Sequence, residues 1–534
     1  MRTVSFERED PLVPTAPNRA DIACFVGFVG RRDGPLPAPI HQWLVERGWL
    51  APPGGAPLFP RAGVEQLRDV PVPVESWALF DRLFAWDRRP VDDRDPSDRG
   101  PFATSYLGAA VRSFFAQGGR KCYVVRVGDP CALTAPGAMR RAGLAALIPG
   151  FPAGVTSVAR DPASWTGVGH VVGLEDVSFV CLPDLPDAVR SDRAAPDVTV
   201  PLPPRPERFS ECSDPEPAPP PDTPVPAYPA PTCDWDGYML WAQALERVAF
   251  LLTQPPREAQ LVAALPLPVP RFEEHAALAA LLGDFLSRQL GSGGLASPSL
   301  GTSFLQLAYP WVRTPGSANL PAGLEGPDGV VVGVLARNAL ARGTYRSAAG
   351  LDLADVSDVY PLLSERELSM SADRARPTAP RAPTFAERVS LVGREPAGIR
   401  LLSDVTASAT ETYRPGSVHR LVSAILRAAR RLGEDVLFEP SSERVWATIT
   451  AHLDALMLAL YQDGALRGAD ASEAFQVRCG RSTMTQHDID SGRVIAAIQF
   501  QAAAPVEHIT VVLALDATGQ VSLVPGRALA RVAA

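Results

Sequence analysis

Apolar residues fall along the chain in two kinds of run, short unbroken blocks and longer stretches with helical spacing. Residues 22–29, "IACFVGFV", are apolar without alternation, which predicts a strand buried on both faces. The same pattern recurs in "KCYVVRV" (121–127), "VSFVCLP" (177–183), "AQLVAALPLP" (259–268), "SFLQLAY" (303–309) and "GVVVGVL" (329–335), each expected to be a core strand. Between these blocks the spacing turns helical. "VESWALFDRLFAW" places Val74, Trp77, Leu79, Phe80, Leu83 and Phe84 on one face, and "FATSYLGAAVRSFFAQGG" does so with Leu107, Val111, Phe114 and Phe115, with Gly118 where a C-terminal cap belongs. A further helix is predicted around 238–252. Buried strands separated by helices point to an α/β layer architecture.

The last 150 residues or so read as a unit of their own. Residues 418–432 and 443–462 are amphipathic helices, the second with Val445, Trp446, Ile449, Leu453, Leu456, Met457 and Leu460 on one face. Ser441 or Ser442 stands at its N-cap and Gly464 ends it. Strands "AFQVRC", "RVIAAIQFQ", "HITVVLAL" and "QVSLV" follow. Two segments break the pattern. Residues 1–20 carry Pro11, Pro14 and Pro17 and predict an extended arm, with "TVSF" a candidate short strand. Residues 183–232 are dense in proline and poor in large apolar side chains, which predicts an extended, solvated insertion; a polyproline docking motif is the other reading. Residues 371–384 form another proline-containing linker.

At 534 residues the chain exceeds one core, and 46% hydrophobic with 21% charged residues is the balance of a folded protein. The net charge of −8 and a pI near 5.5 argue against a nucleic-acid binder, and lysine is nearly absent, Lys121 standing out. The cysteines (Cys24, Cys122, Cys131, Cys181, Cys212, Cys233, Cys479) are odd in number and scattered, which predicts neither a zinc site nor a disulfide framework and fits a reducing cytoplasm. The N-terminus has no apolar signal region, and no run approaches the ~20 apolar residues of a membrane span.

Catalytic and binding signatures are sparse. No phosphate-cradling loop is present, and "GFVGRRDG" lacks the third glycine of a dinucleotide fingerprint. The histidines show no metal-ligand spacing; His419 and His452 lie on amphipathic helices and are expected to be half-buried structural imidazoles. Gly301-Thr302-Ser303 is similar to the nucleophile segment of subtilisin-type hydrolases, but His170 and Asp161, candidates for base and orienter, lack that family's flanking motifs. No catalytic residue, cofactor or metal is therefore assigned, and Ser303 is expected to be chemically inert. Arg420, Arg427 and Arg431 are seven and four residues apart, so at about 3.6 residues per turn they share one helical face, with Leu421, Val422 and Ile425 pointing elsewhere.

Several ordered blocks resemble the contractile tail sheath family of phages and phage-derived injection systems. They are "PVPVESWALFDRLF", "AAVRSFFAQGGRKCYVVRVGD" (109–129), "LAYPWV" (307–312), "GVVVGVLARNALARGTYRSAAG" (329–350), "VLFEPSSERVWATITAHLDALMLALYQDGALRGADASEAFQVRCG" (436–480) and "DIDSGRVIAAIQFQAAAPVEHITVVL" (488–513), which together span most of residues 21–515. The sequence departs from the family where "SFEREDPLVP" replaces an N-terminal Pro-Gly-Val-Tyr and "EGPDG" and "SAAG" replace two further motifs, as in a divergent paralogue.

The resemblance implies a multidomain α/β and α+β protein. An outer α/β domain, subtilisin-like but inactive, would cover 21–182 and 233–380, interrupted by the 183–232 insertion. A helix-and-sheet domain at 381–515 would face an inner tube, flanked by arms at 1–20 and 516–534. The implied role is a non-enzymatic sheath subunit that polymerises helically around a tube and contracts to drive it through a target envelope. Its implied partners are further copies of itself, the tube protein, baseplate and cap proteins and other sheath paralogues, with neither nucleic acid nor membrane insertion. Assembly is expected in the cytoplasm, as part of a phage-tail-like particle that is released or docked at a membrane. A non-contracting adaptor at the baseplate or cap, and a hydrolase on the same fold, are the competing readings. The basic face of Arg420, Arg427 and Arg431 is expected to meet the tube, a merely solvated face being the alternative. Val4, Phe6, Ile509, Val511, Leu513, Val521 and Leu523 are expected to pair with neighbouring subunits as strand arms.

Overall fold

A computed structural model describes residues 19–92, 102–152, 161–192, 228–254, 258–269, 300–363, 385–436, 439–503, 509–515 and 521–523, the last two segments by backbone alone. The architecture is organised around an eight-stranded sheet. In chain order its strands are β1 (Ala23–Phe28), β2 (Pro71–Val74), β3 (Cys122–Gly128), β4 (Phe179–Cys181), β5 (Gln260–Ala264), β6 (Leu305–Tyr309), β7 (Val389–Glu395) and β8 (Gly398–Leu401). They lie side by side as β8-β7-β6-β5-β4-β1-β3-β2, parallel except for β2 and β8, which run antiparallel at the two edges.

The unbroken apolar runs have a direct cause. Alternate residues of β1 and β3 enter different cores: Cys24, Val26, Tyr123 and Val125 pack on one face of the sheet, Ala23, Phe25, Cys122 and Val124 on the other. The long helix α3 (Trp235–Leu252) covers the first face, and α1 (Trp77–Leu83), α2 (Tyr106–Ala116) and α4 (Asp328–Arg342) cover the second. Helix starts follow local chemistry, with Ser105 and Asp234 accepting from the amides of Gly108 and Gly237. Past the C-terminus of α2, Gly118 has φ +102°, the left-handed conformation expected there.

Three expectations about single segments of this part are corrected. The first concerns "GVVVGVL", which is not a strand but the first half of α4. Its β-branched run is buried all round, and periodicity cannot tell such a helix from a buried strand. Gly329 and Gly333 are what the helix needs, because they let α4 lie directly against the backbone of α2. Second, Val74 belongs to β2 rather than to the helix beginning at Trp77, whose N-cap is Ser76. Third, residues 183–192 are not solvated excursion. The short helix Leu185–Val189 is buried, and its Asp187 accepts from Arg89 at 2.6 Å; the remaining described part of that segment, 228–232, leads into α3, and 193–227 lie outside the described residues, as do 371–384.

The C-terminal unit has its own core. Helices α5 (Gly416–Asp435) and α6 (Glu443–Gln462) pack against a four-stranded antiparallel sheet of β9 (Phe475–Cys479), β10 (Val494–Phe500), β11 (Ile509–Leu515) and β12 (Val521–Leu523), in that spatial order. Ser442 caps α6, and Trp446, Ile449, Leu453 and Met457 enter the core. A division at 381 does not match this arrangement, since β7 and β8 are strands of the large sheet. The C-terminal core begins with Val418 on α5.

Candidate functional site

Helix α5 is where the two units meet, and it is apolar on one side and basic on the other. Val418, Leu421, Val422, Ile425, Leu426 and Ala429 enter the C-terminal core. The opposite face carries His419, Arg420, Ser423, Arg427 and Arg430, all buried. Arg420 donates from Nη2 to Asp404 Oδ2 at 2.5 Å and from Nη1 to Oδ1 at 3.1 Å, a two-pronged pair. Asp404 also accepts from the Ala348 amide at 2.9 Å and from Gln306 Nε2 at 3.1 Å. Burial would raise the Asp404 carboxyl, but Arg420 and these donors outweigh it and hold it below the usual carboxylate range. Gly416 makes room for the pair, since a Cβ there would stand 2.5 Å from Asp404 Oδ1.

One turn pair further on, Arg427 donates from Nε to Glu258 Oε2 at 3.1 Å and from Nη2 to the Val177 carbonyl at 2.8 Å. Arg430 takes the same carboxylate from the other side, from Nε to Oε1 at 2.8 Å. Glu258 and Val177 each stand two positions before a strand, β5 and β4, so α5 is tied to the loops feeding the middle of the large sheet.

The expected tube-facing stripe is thereby corrected. Arg420 and Arg427 do share a face, but it is turned into the molecule; the solvated alternative fails for them as well. Arg431, near the C-terminal end of α5, is exposed. The acids that claim Arg420 and Arg427 lie 16 and 169 positions away in sequence. The available signal was that His419, Ser423 and Arg430 extend the same polar face, giving it as continuous a character as the apolar one.

The serine singled out by its tripeptide does have a histidine beside it. Ser303 Oγ lies 3.1 Å from His419 Nδ1, a pairing that sequence reasoning missed because the two are 116 positions apart. His419 is fully buried rather than half-buried, and His452 is exposed, its Nδ1 2.8 Å from the Thr448 carbonyl. The sequence-level candidates go elsewhere: His170 Nε2 is 3.3 Å from Asp69, and Asp161 caps a short turn by accepting from the Ala163 amide. The Ser303–His419 pair is poorly suited to catalysis. Burial, with Arg420 adding to it, pushes the imidazole down to about 3, too weak a base for neutral pH. In the serine triads the histidine faces serine through Nε2 and a carboxylate orients Nδ1. Here Nδ1 faces the serine, and Nε2 is buried with no partner among the described residues.

His419 should instead leave a mark on acid stability. Its folded-state pKa lies below the unfolded value, so from about pH 6.5 down towards 3 the unfolded chain binds a proton the folded chain refuses. Stability must fall with decreasing pH through that window. Asp184, Glu325 and Asp328, raised by burial to about 7, work oppositely, favouring the folded state below about pH 4 and losing that contribution as pH rises through 7. Comparing wild type with His419→Gln cancels the carboxyl contribution. The variant's denaturation midpoint should fall less between pH 6.5 and 4; parallel profiles would contradict a neutral, buried His419.

The strand-arm residues divide. Val4 and Phe6 lie outside the described residues. Ile509, Val511 and Leu513 are on β11, which pairs on one side with β10 and on the other with β12, so both its edges are taken within the chain. This corrects the expectation that β11 offers an edge to a neighbour. Val521 and Leu523 are on β12, which ends the sheet. Among the described residues no group of three or more His, Cys, Asp or Glu could hold a metal, and no helix is long and apolar enough to cross a membrane.

No protein-family model and no curated protein matches the chain. Solved structures do. The chain is similar to one from the baseplate of the anti-feeding prophage in its contracted state, with TM-score 0.56, 18% identity, and 95% of this chain and 96% of that one covered. It is similar to one from the sheath complex of an extracellular contractile injection system, PVC, in the contracted state, with TM-score 0.52, 16% identity, and coverage of 95% and 94%. A third is from the contracted helical sheath of the anti-feeding prophage, with TM-score 0.50, 17% identity, and coverage of 95% and 98%. The chain has the contractile-sheath fold. Each likeness runs nearly end to end through both chains.

Proposed function

We propose that the protein is a structural sheath subunit of a contractile, phage-tail-like injection system, polymerising around an inner tube and contracting to drive it through a target envelope. The observation that carries this reading is fold likeness along 95% of the chain to subunits of such particles, two of them from contracted sheaths. Its partners on this reading are further copies of itself, a tube protein, baseplate and cap proteins and sheath paralogues, and it assembles in the cytoplasm. The eight-stranded sheet with helices on both faces supports a subtilisin-like outer unit without that fold's activity. The buried pairs of Arg420 with Asp404 and of Arg427 and Arg430 with Glu258 would carry a displacement of one unit to the other. The outer edge of β12 is the place where a neighbour's arm would add a strand.

A second reading has its own support. The likeness at TM-score 0.56 is to a chain of a baseplate, which favours a non-contracting or minor sheath acting as adaptor. Co-expression with the tube protein of its own system, followed by sedimentation and electron microscopy, separates the two. Long tubes or rings of this chain are expected for a sheath, and a single collar at one end of a tube for the adaptor; a chain that stays monomeric in the presence of tube sinks both. Ser303→Ala should assemble like wild type, and a serine-directed fluorophosphonate should leave Ser303 unlabelled. Labelling there would revive the hydrolase reading.

A further inference from the structure

A small, partly open cavity lies at the seam between the two units, between α5 and the large sheet. Its walls include Ser178, Gln260, Thr344, His419 and Ser423, and its volume is about 10 Å³. That is roughly the room one water molecule requires. Three polar atoms of these walls are buried without a hydrogen-bond partner among the described residues: Gln260 Oε1, Thr344 Oγ1 and His419 Nε2.

Two of the three are held in place by one residue. Gln260 donates from Nε2 to the Ser303 carbonyl at 3.1 Å, which turns Oε1 away from that strand. His419 Nδ1 lies against Ser303 Oγ at 3.1 Å, which turns Nε2 away likewise. The chain around Thr344 is anchored by Arg420, whose Nε donates to the Thr344 carbonyl at 3.4 Å. Buried polar atoms in folded proteins are nearly always paired, and one unpaired acceptor is already costly. All three belong to residues that line one cavity with room for about one water.

We propose that this cavity is a binding site for one buried water, which bridges Gln260 Oε1, Thr344 Oγ1 and His419 Nε2. The water donates to the glutamine oxygen, which can only accept, and completes its bonding with the threonine hydroxyl and the ring nitrogen. It links β5, the loop after α4 and helix α5, and so forms part of the contact between the units beside the Arg420 and Arg427 pairs. The cavity has no space for a substrate, which separates this water from a hydrolytic one.

The test uses the full chain. An experimental map fine enough to show ordered solvent should contain one peak within hydrogen-bonding distance of all three atoms. Thr344→Val supplies a second measurement whose sign discriminates. In a dry cavity the isosteric change removes an orphaned hydroxyl, and the denaturation midpoint should stay level or rise. In a hydrated cavity it removes one of the water's partners, and the ratio of folded to unfolded protein should fall about fivefold. Thr344→Ser, which keeps the hydroxyl, should recover most of that loss. A clear map with an empty cavity, or a Thr344→Val midpoint at or above wild type, overturns the proposal.

Discussion

Arg427→Ala should lower the stability of the protein by about 3–5 kcal/mol, read as a shift in the denaturant midpoint. The truncation removes a guanidinium buried among Glu258, Val177 and Ser178 and leaves a carboxylate out of water with only Arg430 to balance it. Arg427→Lys should recover little, since an ammonium cannot reach several acceptors at once in the fork geometry. Reversing both charges, Arg420→Glu with Arg427→Glu, should be worse. It would place new carboxylates against Asp404 and Glu258, in a region from which water is excluded, and the expected outcome is insoluble protein. Failure of that double variant to assemble would therefore say nothing about a tube contact. Arg431→Glu, at an exposed position of the same helix, is the substitution that reports on surface charge. A soluble double variant with wild-type stability would refute the buried-pair account.

Gly329→Val and Gly333→Val should each cost about 3 kcal/mol or more, and even alanine should be unfavourable at both positions. A glycine inside a helix normally gains about 1 kcal/mol on replacement by alanine. Here the sign should reverse. A Cβ at 329 would stand 2.4 Å from the Ala110 carbonyl oxygen, and one at 333 would stand 2.7 Å from that of Phe114. Both obstacles are backbone of α2, so no side chain can swing aside, and α4 would have to move away from α2. Thermal melts of the two alanine variants decide the matter. Midpoints at or above wild type would show that the helices do not touch as closely as described.

Much of the fold was legible along the chain, because what sets a buried strand or an amphipathic helix is local. The unbroken runs at 22–29, 121–127, 177–183, 259–268 and 303–309 are strands because both faces of that sheet are covered, and covering both faces is what erases alternation. Helix α6 was readable to its caps, since Ser442 and the stripe from Val445 to Met457 are neighbours within a few turns. The sheath likeness was legible too, through motif order alone.

Tertiary structure decided the rest. Residues 329–335 form a helix because α2 offers a backbone surface against which two glycines fit, a fact located some 200 positions earlier in the chain. Strands β7 and β8 join the large sheet although they follow the second linker, since hydrogen-bonded edges take partners without regard to sequence distance. The arginines of α5 show the limit most clearly. Periodicity says that Arg420 and Arg427 share a face, and it says so correctly. Whether that face meets water, a tube or the same molecule depends on where Asp404 and Glu258 come to rest. Opposite charges that meet only after folding leave no mark on local spacing, and the meeting of Ser303 with His419 is hidden for the same reason.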